Sequence, residues 1–208
     1  MTRRTDAFSD EALRAQERWA SRWGDASAQG HRIRLEMADD WVRFHMLPES
    51  KRYPENPAEW TEVLRRHHAL LASLMASTAD EDLTVSLTSY QSIDPEFDLD
   101  PDPDPEEEPW SSYVGQVTKW AVYEPDDSEL TVRHLWLWPL PAREWRQLDW
   151  LLTAVADDRV RDVLIGPRSW RWLYHPYDGG ADVVAETSVR EALSDRHRDW
   201  LSPFPGGL

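Results

Sequence analysis

WVRFHMLPESKRYPENPAEW, residues 41–60, changes character twice along its length. Val42, Phe44 and Met46 alternate with Trp41, Arg43 and His45, the period-two pattern of a strand with one buried face. Just upstream, Ile33, Leu35 and Met37 alternate with Arg32, Arg34 and Glu36. With Asp39-Asp40 as a two-residue loop, Met37 lies opposite Val42, Leu35 opposite Phe44 and Ile33 opposite Met46. The same register sets Glu36 across from Arg43 and Arg34 across from His45, and a one-residue slip would destroy both matches. The sequence thus predicts a β-hairpin over residues 33–46. Pro48 and Pro54 then interrupt regular structure. Asn56-Pro57-Ala58-Glu59 combines a cap, a first-position proline and a glutamate three residues after the cap. Trp60, Val63, Leu64, Leu70, Leu71, Leu74 and Met75 follow as one helical stripe.

Working outward, Ser9 caps a predicted helix over residues 9–23 with Leu13, Gln16, Trp19, Ala20 and Trp23 as its stripe. Leu83, Val85 and Leu87 alternate with Thr84, Ser86 and Thr88, a strand with a polar outer face. Strands are predicted at 117–123 and 130–138 with a turn at 124–128. In the second of these, Leu135 and Leu137 oppose Trp136 and Trp138, which suits a strand covered on both sides. A helix over 142–156, short strands at 163–165, 170–174 and 181–185, and a helix opened by the capping box Ser188-Val189-Arg190-Glu191 complete the chain. Hairpins dominate this order, so the fold class is α+β: a mainly antiparallel sheet with about four helices packed on it. Residues 1–208 read as a single domain carrying a mobile acidic insertion at about 93–110, where DPEFDLDPDPDPEEEP blocks helix and sheet alike. Its alternating prolines hold the carboxylates apart, and it lacks the glycine turn of a calcium loop.

The formal net charge is −16, and nine carboxylates of the acidic segment supply more than half of it. Such a field repels phosphate backbones, which argues against nucleic acid, and favours a basic protein partner. No cysteine is present, which excludes disulfides and thiolate metal sites and suits a reducing compartment. No apolar run approaches the roughly 18 residues of a membrane span. A cytoplasmic protein without membrane contact is the expectation.

No G-x-S-x-G turn, glycine-rich phosphate loop or H-E-x-x-H spacing occurs, and the adjacent His67 and His68 diverge on a helix. No metal and no cofactor is therefore expected. The candidate ligand-binding residues are Arg43, His45, Lys51, Arg52 and Tyr53 on the early strand and loop, with His175, Tyr177, Asp178 and Asp182 around the late turn. If the sheet brings the two turns together, they line one rim where Arg52 could clamp an anionic or polar ligand. In the structural alternative, Arg43 pairs with Glu36, Arg52 pairs with Asp178 or Asp182, and the tyrosines pack.

WVRFHMLPESKRYP and LYHPYDGGADV together resemble a family of uncharacterised bacterial proteins, a domain of unknown function. Its pattern is an Arg-Phe strand (Arg43, Phe44), an Arg-Tyr loop before a helix (Arg52, Tyr53), and a late Tyr-Asp turn leading into an Asp-Val strand (Tyr177, Asp178, Asp182, Val183). Gly179-Gly180 departs from the bulkier charged turn of that pattern. The resemblance supports the fold and carries no activity. The leading function is a non-catalytic acidic protein-binding module, of the kind an antitoxin or immunity protein represents. The alternative is an enzyme acting on a polar or anionic small substrate through the rim, with His45 or Asp178 as acid/base. Arg52→Ala tests the rim by thermal melting: a large loss marks structural pairing, a small one a ligand clamp.

Overall fold

Leu135 and Leu137 are buried on one side of their strand, and Trp136 and Trp138 on the other. A strand so patterned must lie in a sheet covered on both faces. The computed structural model describes residues 8–92, 103–124 and 131–202. Its strands are β1 (Trp41–His45), β2 (Leu83–Ser92), β3 (Thr118–Tyr123), β4 (Thr131–Leu140), β5 (Leu164–Pro167), β6 (Leu173–Tyr177) and β7 (Gly180–Val184). They form one sheet in the order β1-β7-β6-β5-β2-β4-β3, antiparallel at every junction. The helices are α1 (Asp10–Trp23), the four-residue α2 (Ile33–Glu36), α3 (Pro57–Ser77), α4 (Leu148–Ala156) and α5 (Thr187–Arg196). The fold is α+β.

The larger core lies between one sheet face and α3, α4 and α5, where Leu70, Leu71, Leu74 and Leu151 are fully buried. Truncating any of these leucines to alanine would cost about 2–5 kcal/mol. Asn56 caps α3 by accepting from the Glu59 amide at 3.1 Å, as its sequence requires. On the opposite face α1 packs against β3, with Trp19 edge-on to Trp120 and Trp170, which stack on each other at 5.7 Å. Ala12, Ala15 and Trp19 form the buried face of α1, whereas Leu13 is 44% exposed. The predicted stripe is therefore rotated.

The predicted hairpin does not form. Residues 30–40 instead make a 3-10 turn (Gly30–Arg32), α2, and a second 3-10 turn (Ala38–Asp40). Ile33 and Met37 are buried, but Leu35 is 72% exposed while Phe44 is fully buried. Five residues are too few to separate a period of two from one of 3.6, because Ile33 and Met37, four apart, also share a helical face. Glu36 closes its bonds locally, accepting from Arg32 Nε and the Ser27 amide at 2.6 Å each. β1 pairs with β7 instead, from Trp41 opposite Val184 to His45 opposite Gly180.

Other differences follow from tertiary cover. The hydroxyl face of β2 is buried, because Trp120 roofs it and donates its indole N–H to Ser86 Oγ at 3.1 Å. β6 begins at Leu173, since Trp170 takes a left-handed φ of 56° in the preceding turn. Residues 142–147 are 3-10 before α4 starts at Leu148. α5 starts at Thr187 with no side-chain cap, so Ser188 makes no capping box. Residues 93–102 of the acidic segment, and 125–130, which hold most of the predicted 124–128 turn and the first residue of the strand predicted from 130, lie outside the described residues. Beyond the former, Asp104 accepts from the Glu106 amide in a turn that leads to the buried Trp110.

One buried polar pair crosses the larger core: His67 Nδ1 lies 2.5 Å from Tyr174 Oη, and both residues are fully buried. Burial, and secondarily the charge of His68, lowers the His67 pKa to about 3. Between pH 6.5 and 3 the unfolded chain binds a proton at this histidine that the folded chain refuses. This contribution to stability is complete above pH 6.5 and falls by about 1.4 kcal/mol per pH unit as the solution is acidified through that window. The double variant His67→Phe/Tyr174→Phe should lose one proton's worth of that slope between pH 6.5 and 4.5, measured by urea unfolding. An unchanged slope would disprove the assignment.

Candidate functional site

The chain reverses between β6 and β7 over Asp178 and Gly179, with Tyr177 paired to Gly180. Gly180 has no alternative: a Cβ there would lie 2.5 Å from Tyr177 Oη and 2.6 Å from the Phe44 carbonyl oxygen. The β1 backbone and the Tyr177 ring close over that position, which explains the glycine where a bulkier residue was expected.

Register then places Arg43 directly opposite Asp182. The guanidinium grips the carboxylate through Nε at 2.7 Å and through its second arm at 3.0 Å, with side chains 14% and 3% exposed. It also lies 5.2 Å from the Trp41 ring centroid and 5.1 Å from that of Tyr177. Burial works against the Arg43 charge, but the hydrogen bond and charge of Asp182 outweigh it and raise the arginine's pKa. Burial, then the Asp182 charge, pushes the Tyr177 phenol up, so it keeps its proton.

Beside this pair, Arg52 Nε donates to Asp178 Oδ2 at 2.6 Å, and Tyr53 donates to the same oxygen at 2.8 Å. The predicted pairing of Arg52 with Asp178 is thus present, whereas Arg43 takes Asp182 rather than Glu36. The two distant segments meet as supposed, though β7, not a hairpin partner, holds β1. Lys51 turns away to Glu55 and Glu59, at 3.0 and 2.8 Å, at the start of α3. His45 keeps a buried Nε2 without a partner among the described residues. Burial lowers its pKa, with Arg43 and Arg66 adding to the effect.

A cleft of about 330 Å³ opens at the turn, and of the predicted residues Arg52, His175, Tyr177 and Asp178 line it. Arg43, His45, Lys51, Tyr53 and Asp182 are not among its lining residues. The 157–162 loop supplies most of the rest, including Asp158, Arg161 and Asp162, none of which was predicted. Asp158 and Asp162 adopt left-handed φ values of 55° and 51°, a conformation that aspartate tolerates better than most residues. Arg161 donates twice to Asp158, at 2.8 and 2.7 Å. Asp162 accepts from Tyr90 at 2.7 Å, and its two oxygens each lie 3.1 Å from His31 Nδ1. Burial alone would raise its pKa, yet the bond and charge of His31, with His175 and Tyr90, bring it down to about 2. The one signal in the sequence was the run DDRVRD, dense in charge just before a buried strand. Nothing there pointed to His31 or Tyr90. Among the described residues, no three His, Asp or Glu side chains converge where a metal ion could sit. No described helix is long and apolar enough to cross a membrane.

An antiparallel sheet with helices on both faces and an ion-paired strand turn beside a small polar cleft is the class that fold and site define. The chain belongs to the family described as a domain of unknown function (DUF3885), matched over residues 30–205. The matched span includes all seven strands and leaves α1 outside. Comparison with curated proteins and with solved structures gives no match.

The two ion pairs should differ in cost. Asp182→Ala strands a mostly buried guanidinium and should destabilise by about 3 kcal/mol or more, whereas Arg43→Met with Asp182→Leu should recover most of that loss. Arg52 is 65% exposed, so Arg52→Ala should cost less than about 1 kcal/mol whatever its role, which makes Asp182 the better test. Gly180→Ala should cost about 1–3 kcal/mol through overpacking. Thermal and urea unfolding read all of these.

Proposed function

We propose that this chain is a non-catalytic module that docks a basic protein, as an antitoxin or immunity protein does. The observation that carries the reading is the charge balance. The net charge is −16, and carboxylates outnumber guanidiniums in the lining of the cleft at the β6–β7 turn. A field of this sign steers cationic partners to the surface and speeds their association. The groups that would serve chemistry are meanwhile engaged with one another: Arg43 with Asp182, and Arg52 and Tyr53 with Asp178.

The alternative is an enzyme acting on a polar or anionic small substrate at the same rim. It is favoured by the imidazole of His175 in the cleft wall, which would replace His45 as acid/base. Affinity capture from native lysate, followed by native mass spectrometry and salt-dependent kinetics, tests the main reading. A basic partner at fixed stoichiometry is expected, with an association rate falling about tenfold or more from low to physiological salt. Recovery of no stoichiometric partner, or of an acidic one insensitive to salt, would overturn it.

A further inference from the structure

His175 is 6% exposed, and its ring is seated so closely that a Cβ on Gly30 would lie 2.2 Å from Nδ1. Nδ1 sits 2.7 Å from the Val163 carbonyl oxygen. A carbonyl can only accept, so Nδ1 carries a proton, and in the ring's neutral form Nε2 is then the lone pair. Nε2 has no hydrogen-bond partner among the described residues, and the residue lines the cleft. A second acceptor stands in the same wall. Asp178 has a side chain only 8% exposed and uses Oδ2 for both Arg52 and Tyr53, which leaves Oδ1 without a donor. Neither atom is sealed in the interior, so both acceptors stay open to an N–H donor that enters the cleft.

The guanidiniums already in the cleft do not meet this need. Arg161 is committed to Asp158, and the Nε of Arg52 to the other oxygen of Asp178. Asp162 adds a third carboxylate, so the wall holds three carboxylates against two guanidiniums. The complement is a compact, donor-rich cation.

We propose that the cleft at the β6–β7 turn receives a cationic side chain, guanidinium or ammonium, of the basic partner, with His175 Nε2 and Asp178 Oδ1 as its acceptors. The inference rests on the binding reading above and names where such a partner inserts. An arginine offers five N–H groups in a planar fork and a lysine three on a single nitrogen, so both can serve these two acceptors.

Long-range proton–nitrogen NMR of the full chain follows His175 Nε2 during titration with four probes: Ac-Gly-Arg-Gly-NH2, its lysine and glutamine counterparts, and inorganic phosphate. The arginine and lysine peptides should move that resonance saturably, and the glutamine peptide and phosphate should not. Asp178→Asn should weaken the cationic peptides about tenfold. If phosphate or the glutamine peptide moves Nε2 equally, or no probe moves it, the proposal fails. Should Asp178→Asn not fold, the four wild-type titrations decide alone. A captured basic protein that binds wild type and Asp178→Asn equally would sink the cleft assignment but leave the binding reading intact. Cationic peptides that fill the cleft with no basic protein ever captured would do the reverse.

Discussion

The ion pair of Arg43 with Asp182 joins residues 139 positions apart and holds the edge strand β1 against β7. Bringing such distant segments together carries a loop-closure cost that local contacts do not repay. Five paired positions, a two-point guanidinium–carboxylate contact and the close approach over Gly180 offset that cost at one place. A charged side chain turned inward on an edge strand also discourages pairing with foreign chains. The other edge of β1 is met by a single bridge from Phe44 to Leu201.

Once β1 is fixed, the loop that follows it has to pass the β6–β7 turn, and this brings Arg52 and Tyr53 onto Asp178. The polar groups of the two motif segments thereby satisfy one another. What is left unsatisfied lies one step further in, where the 157–162 loop and His175 complete a cleft. The formal charge and the acceptors of that cleft both suit the cationic partner proposed above. Trp19, Trp120 and Trp170 act away from this site, interlocked as the roof over the second face of the sheet.

Much of the fold was legible where the signal was local and long. The cap at Asn56, the stripe of α3 and the two-sided burial of β4 follow from residues within a turn or two of each other. The site was legible only in part. Arg52, His175, Tyr177 and Asp178 were named from their types and neighbours, but Asp162, His31 and Tyr90 reach the site from three separate segments. The 33–37 segment misled because its apolar spacing satisfied a strand and a helix equally, and its glutamate offered Arg43 a plausible but wrong partner.

From the residues alone came the class of the fold, the starts of α1 and α3 at the caps Ser9 and Asn56, the sign of the formal charge and the types of side chain available for recognition. Each depends on near neighbours or on composition, which the linear chain displays in full. Tertiary structure alone decided which strand β1 joins, which carboxylate Arg43 takes, and which atoms at the turn stay without a donor. Those outcomes are competitions among several chemically suitable partners, and only the geometry of the packed sheet determines which comes within hydrogen-bonding distance.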